Sequence, residues 1–399
     1  MFDSGDLLNK LNSIVLFRGV TNGEVLSSLR RLLESSENHD RIRLYADFVS
    51  ELFKHGYDFG SYLMDAVSED ENDYIKLRSE NLEIPAVLAN CAKEELRIFG
   101  ELSEITSEDL KKFTGYLGYL PDFDSTKFDF VSEYERRALN VGSTGYGIYA
   151  KNVMFRVVDG EITPLRSPDK TKLSHLIGYE SQREQLIGNT LAFLEGRPCA
   201  NTLLYGDAGT GKSSSVKAVA NYFAPQGLRL IEVRKEQLRD IPHVMESVRD
   251  NPLKFIIFID DLSFSADDDN FSSLKAILEG SASVQSPNTV IYVTSNRRHL
   301  VKESFSDRDG DDVHRGDTMQ EQISMSERFG LVILFTKPSK QGYLEIVRGL
   351  FEEMSLPWSD DVEVKACAFA LRKGGFTPRA AEQFVDSCAA EQMKIESEK

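Results

Sequence analysis

The stretch Gly206–Ser214, GDAGTGKSS, fits the pattern G-x-x-x-x-G-K-[ST] and carries the clearest chemistry in the chain. Gly206, Gly209 and Gly211 let the backbone curl, so that the N–H groups of Asp207, Ala208, Thr210 and their neighbours converge on phosphate oxygens. Lys212 then reaches the β- and γ-phosphates of a nucleoside triphosphate, and the Ser213 hydroxyl coordinates magnesium. Lys212 is expected on the solvent side of the loop, as a phosphate ligand and not a core residue. ATP with Mg2+ is the ligand pair this spacing predicts, and Ser214 completes the binding loop.

Two further segments could complete such a site. FIIFIDDLSF is an apolar run that ends in Asp260 and Asp261. Asp260 is placed to hold the magnesium shell, and Asp261 to polarise the attacking water. The competing reading is a pair of carboxylates that cap the next turn. TVIYVTSNRRHL brings Asn296 to a strand end, where it would touch the γ-phosphate or the water; an asparagine there is also a common turn former. Arg297, Arg298, His299 and Lys302 follow, to pair with acidic neighbours or to touch nucleic-acid phosphates.

These residues need a scaffold, and the pattern supplies one. From Leu173 onward strands alternate with helices, which predicts a parallel sheet covered on both faces. The strands are NTLLYG, LRLIEV, KFIIFID, TVIYVTSN and LVILFT, and SSSVKAVANYF is the helix after the glycine loop. Beyond Pro338 the pattern is helical, with Ser339 as an N-cap. Upstream, apolar residues at three- and four-residue spacing predict helices, one of them opening at Pro85. Tyr146–Arg166 is β-rich, with a hairpin turn at Asp159-Gly160, and Ser167-Pro168-Asp169 reads as a linker. The expected organisation is a helical domain (1–140), a hairpin and linker (141–170), an α/β nucleotide-binding domain (171–338) and a helical lid (339–399).

Net charge is −17, and residues 1–150 hold 27 Asp and Glu against 16 Lys and Arg. Such acidity disfavours a broad nucleic-acid footprint, which needs a basic face. No apolar run approaches the roughly 20 residues that span a bilayer. The start, MFDSGDLLNKLNSIVLF, reads as an amphipathic helix and not a leader. Cys91, Cys199, Cys367 and Cys388 lie far apart, as expected of idle thiols in a reducing cytoplasm. In Ser306–Asp317 the alternating Asp307, Asp309 and Asp311 suggest a calcium loop. The glycine is misplaced and no closing glutamate follows, so a solvated loop is expected instead.

The order of glycine loop, Asp-Asp after a buried strand, TSN, SERFG and a late G-x-x-P-R resembles an AAA-plus module. More narrowly, YESQREQLIGNTLAFLEGRPCANTLLYGDAGTGKSS, FIDDLSF, YVTSNRRHLV, FSDRDGDDVH and SERFGL resemble the domain-of-unknown-function 815 family, an AAA-type family of bacteria and archaea. The similarity runs over most of the chain and is most specific from Ile177 to Val385. It implies an α/β P-loop NTPase: a five-stranded parallel sheet flanked by helices, a C-terminal helical lid and a mostly helical N-terminal domain. It further implies ATP binding and names no substrate; ATP hydrolysis with Mg2+ in a homo-oligomer is the activity expected. An unidentified protein partner is expected at the N-terminal helices.

By position, Leu176, Ile177, Gly178 and Tyr179 match the segment beside the adenine. Arg328 in SERFG matches the arginine finger that reaches a neighbouring subunit's nucleotide, and Arg379 in GGFTPRAAEQF matches the second sensor. This chain departs from the pattern in three places. Asp261 stands where AAA-plus ATPases carry a glutamate, one methylene longer. Ser265 and Ala266 precede Asp267–Asp269 where the family is acidic at once. RKEQLRDIPH replaces an aromatic-apolar-glycine tripeptide, which counts against polypeptide threading. The main expectation is therefore an ATPase whose cycle moves the lid, with a slow nucleotide-dependent switch and a DNA-associated loader as alternatives.

Overall fold

Apolar stripes at helical spacing do fold the first part of the chain into helices. The computed structural model describes residues 3–263, 270–279, 287–296 and 328–397. Ser265, Ala266, Asp267–Asp269, Arg297, Arg298, His299, Lys302 and Ser306–Asp317 lie outside the described residues. The chain divides into two compact units, Met1–Lys151 and Asn152–Lys399.

In the first unit, helix ends follow local chemistry. Asp58 caps Phe59–Glu69 by accepting the Ser61 amide. Thr106 and Asp109 form a reciprocal capping box at Ser107–Thr114, and Gly115 (φ 69°) ends that helix in the left-handed region. Pro85 precedes Ala86–Leu102, as the sequence predicts. Phe17, Tyr45, Phe48, Phe59 and Phe99 share one core, and Phe17 meets Phe99 and Tyr134 edge-on at 5.7 and 5.4 Å. The buried Glu95 carboxylate sits at the edge of that core. It accepts the backbone amides of Val15 (2.7 Å), Leu16 (3.0 Å) and Phe17 (3.1 Å), and so fixes the turn that delivers Phe17.

The second unit is built on a seven-stranded sheet: β1 (Met154–Val158), β2 (Glu161–Pro164), β3 (Thr202–Gly206), β4 (Leu228–Val233), β5 (Lys254–Ile259), β6 (Thr289–Ser295) and β7 (Leu331–Phe335). Their order is β2-β1-β4-β5-β6-β3-β7. β3 to β7 are the five strands expected, all parallel. The hairpin set apart in the sequence reading extends the same sheet. β1 pairs parallel with β4 and antiparallel with β2, through the Asp159-Gly160 turn (φ 51° and 83°). The physical reason is burial: β4 is apolar along most of its length, and an uncovered edge there would leave its ladder groups unpaired.

Val216, Val219, Ala220 and Phe223 of the helix Lys212–Phe223 pack onto the sheet with Leu204, Leu230, Phe258 and Tyr292. The lid is three helices: Lys340–Glu353, Asp360–Arg372 and Pro378–Ser397. Ser339 caps the first by accepting the Gly342 amide. Their own core joins Tyr343, Val347, Phe351, Ala370 and Phe384. Among the described residues no helix is long and apolar enough to cross a membrane.

Candidate nucleotide site

In a parallel sheet the carboxyl ends of the strands open onto one edge, and ligands gather where connections diverge to either side. Here β6 lies between β3 and β5, so the ends of all three meet. Gly206 closes β3 and turns into the glycine loop. Its φ of 136° lies outside the range other residues favour, and a Cβ there would stand 1.9 Å from the Phe335 carbonyl oxygen of β7. Asp260 and Asp261 follow β5, and Asn296 follows β6.

Together these residues line a cleft of about 290 Å³, walled by Ala208–Ser214, Asp260, Asp261, Thr294, Asn296 and three lid residues, Pro378, Arg379 and Glu382. Ser213 Oγ donates to Asp260 Oδ1 at 2.5 Å. Lys212 Nζ donates to the carbonyls of Gly206 (3.0 Å) and Asp207 (2.8 Å) and to Asn296 Oδ1 (3.0 Å). The amide of the same asparagine donates to Asp261 Oδ1 at 2.6 Å. The expectation for Lys212 is corrected here: it is 6% exposed and not on the solvent side. The helix it opens carries its stem into the wall of the cleft. Burial lowers its pKa from the ordinary lysine value, against the opposing pull of Asp261, Asp207 and Asp260.

The lid touches the loop directly. The Arg379 amide donates to the Gly209 carbonyl at 3.2 Å, and a Cβ on Gly209 (φ 76°) would meet Arg379 Cβ at 3.3 Å. Arg379 lines the cleft from the lid, with the Glu382 carboxylate within electrostatic reach on the same helix. The Asp207 carboxylate accepts the amide of Lys337 (2.8 Å), whose ammonium in turn donates to the lid carbonyl of Gly374 (3.0 Å). A carboxylate, Glu382, also faces this anion-receptive cleft. Partial desolvation, then the charge of Asp386, raises its pKa above the usual value.

Not every candidate reaches this cleft. Ile177 packs on Gly349 and Gly178 on Ile346, both on the first lid helix. Tyr179 donates its hydroxyl to the Thr336 carbonyl at 2.7 Å and stacks on Phe335; burial pushes its phenol up to about 12. These three form a wall between lid and sheet edge. Arg328 stands before β7, at the opposite end of the strand from the loop. Seven positions of chain separate it from Phe335, the strand end that lies beside Gly206.

Thr294 and Glu382 line the cleft and Lys337 braces its loop through Asp207, although none of the three is assigned a role from sequence. Glu382 was legible in principle: it lies three residues after Arg379, on the same helix face. Thr294 lies two before Asn296, and so on the same face of β6. For Lys337 no local signal exists.

The described residues hold no cluster of three or more His, Cys, Asp or Glu that could bind a metal. Ser213 Oγ beside Asp260 Oδ1 is a pair of hard oxygen donors, which suits magnesium completed by phosphate and water.

No curated protein matches the chain. Among solved structures, it is similar to the RuvB Holliday junction branch migration motor of Thermotoga maritima. Identity is 17% and the TM-score 0.38, over 57% of this chain and 66% of that one. A variant of the same protein gives 16% identity and a TM-score of 0.39, again over 57% and 66%. The chain thus spans 66% of the length of these proteins, and scores this low carry no functional inference. The family described as "Protein of unknown function (DUF815)" matches residues 150–392. The chain belongs to that family.

Proposed function

We propose that this protein binds ATP with Mg2+ in the cleft and hydrolyses it, and that the cycle moves the helical lid against the sheet. The observation that carries the reading is the convergence of Lys212, Ser213, Asp260, Asp261, Asn296 and Arg379 on one cleft. Residues far apart in sequence supply the parts that phosphoryl transfer requires, because that reaction is governed by positioning and charge stabilisation. Ser213 and Asp260 would hold a magnesium ion, which when bound would supply charge neutralisation to the phosphates.

The chain's own residues do the rest. Lys212 exchanges its loop carbonyls for phosphate oxygens, and the first-turn amides of its helix add partial positive charge. Asp261 orients the attacking water, and Asn296 sets the position of that carboxylate. As the water oxygen bonds to the γ-phosphorus, the bridging P–O bond breaks, ADP departs with the electron pair, and the released proton passes to solvent by way of Asp261. Arg379 senses the phosphate from the lid. Ile177, Gly178 and Tyr179 flank the adenine. Arg328, remote from its own cleft, completes the site of a neighbouring subunit in a homo-oligomer.

The N-terminal unit takes a protein partner. Its exposed Leu117 and Tyr119 (102% and 87%) form an apolar loop tip of the kind that docks to proteins. One observation favours a slower cycle, closer to a nucleotide-dependent switch: the Asp261 carboxylate, already one methylene short, is engaged by Asn296.

Mixing experiments test the trans arrangement. Arg328→Ala and Asp261→Asn are each expected to bind ATP and turn it over slowly. After confirmed subunit exchange, hybrid sites that pair an intact Asp261 with an intact Arg328 recover part of the phosphate release. Mixtures no more active than their parents, or a monomer with concentration-independent turnover, remove the trans arginine. Wild type that binds ATP and releases no phosphate supports the switch instead.

A further inference from the structure

Thr294 is 1% exposed, and its hydroxyl lies between the two acids of the cleft. Its Oγ1 donates to Asp260 Oδ1 at 2.5 Å and accepts the Asp261 amide at 2.8 Å. A hydroxyl has one proton, and this one is committed to Asp260, so the lone pairs are left for the amide. The register dictates this placement. Ile259 of β5 pairs with Val293 of β6, and one step further sets Asp260 beside Thr294.

Both consequences bear on the site. The Asp260 oxygen that accepts from Thr294 is the same one that accepts from Ser213, so the carboxylate is held at once from the end of β6 and from the first turn of the helix Lys212–Phe223. Asp261 has φ 50°, a conformation that costs a non-glycine residue energy, and its amide bond to Thr294 holds the chain there. That turn directs the Asp261 carboxylate onto Asn296.

We infer that Thr294 is a positioning residue for metal-dependent nucleotide binding: it presets Asp260 for the cation and Asp261 for the water. The inference rests on the magnesium-ATP reading above and assigns a role to a residue of TSN that the reading leaves without one.

Binding of a fluorescent ATP analogue, titrated with MgCl2 and repeated in EDTA, separates the two. Thr294→Val keeps the side-chain shape and removes the hydroxyl. Its Mg2+ midpoint for tight binding is expected to rise about tenfold, the equivalent of one hydrogen bond to a charged group, while metal-free binding stays at the wild-type level. Thr294→Ser restores the wild-type midpoint. Should the valine variant not fold, Thr294→Cys, a weak donor of similar size, carries the test and shifts the midpoint the same way by less. An unchanged midpoint in a folded valine or cysteine variant overturns the inference, as does a serine variant that behaves like valine. If wild type itself binds no analogue with or without Mg2+, the nucleotide reading fails, and not the role of Thr294 alone.

Discussion

Asn296 donates its side-chain amide to Asp261 across 2.6 Å, and this contact joins the ends of two neighbouring strands. The oxygen of the same asparagine accepts from Lys212, so the group that would hold phosphate and the group that would orient water share one partner. Entry of a γ-phosphate would change both contacts together.

Asp261→Asn is expected to slow phosphate release at least about tenfold while ATP affinity stays within about threefold, since a water-orienting group acts in the transition state. Asp260→Asn weakens magnesium-dependent binding as well, because its carboxylate shares Ser213. Steady-state phosphate release beside calorimetric binding separates the two. Unchanged turnover in Asp261→Asn assigns the water to another group.

Glu382→Gln tests the odd carboxylate of the cleft. A carboxyl whose folded pKa is raised keeps its proton in the folded state at pH values where the unfolded chain has lost it. Its ionisation therefore costs stability as pH rises from the ordinary 4.5 through the raised value, and the penalty is complete above that. The group is exposed on the cleft wall, so the gain on substitution is small, about 1–2 °C in Tm at neutral pH. It disappears below the ordinary carboxyl range. ATP affinity at neutral pH should rise by up to about tenfold as one repelling charge is removed. Identical affinities and melting profiles across pH 4 to 8 would show that Glu382 is electrostatically idle.

Glu95→Gln is expected to destabilise the N-terminal unit by about 1–3 kcal/mol in urea unfolding. The carboxylate satisfies the amides of Val15, Leu16 and Phe17 with two oxygens, and glutamine offers one. Nucleotide binding in the other unit should not change. A loss below about 0.5 kcal/mol would mean that water replaces the missing acceptor.

The strands and their order of chemistry were legible because each apolar run leads directly into its motif residues: Leu204-Tyr205 into Gly206, Ile259 into Asp260, and Tyr292-Val293 into Thr294-Ser295-Asn296. Periodicity cannot say which runs are neighbours. The place of β6 between β3 and β5, and the junction of β1 with β4, are set by long-range pairing. The same limit hid Thr294, whose role depends on the residue across the sheet and not on its neighbours in sequence. It also led to the wrong exposure for Lys212: the motif names its ligand, whereas its ammonium is taken up by the carbonyls of Gly206 and Asp207 and by Asn296. Lys337 makes its contacts 130 and 37 residues away, at distances where sequence spacing carries no signal.

The central claim is that the Gly206–Ser213 cleft binds ATP through Lys212. Isothermal titration of ATP with MgCl2 into wild type and Lys212→Ala tests it most directly, with circular dichroism and thermal melts to show that the variant is folded. The account predicts saturable binding at one site per chain for wild type, and an affinity at least about tenfold lower, 1.4 kcal/mol or more, for Lys212→Ala. A folded Lys212→Ala protein that binds ATP within about threefold of wild type would contradict it.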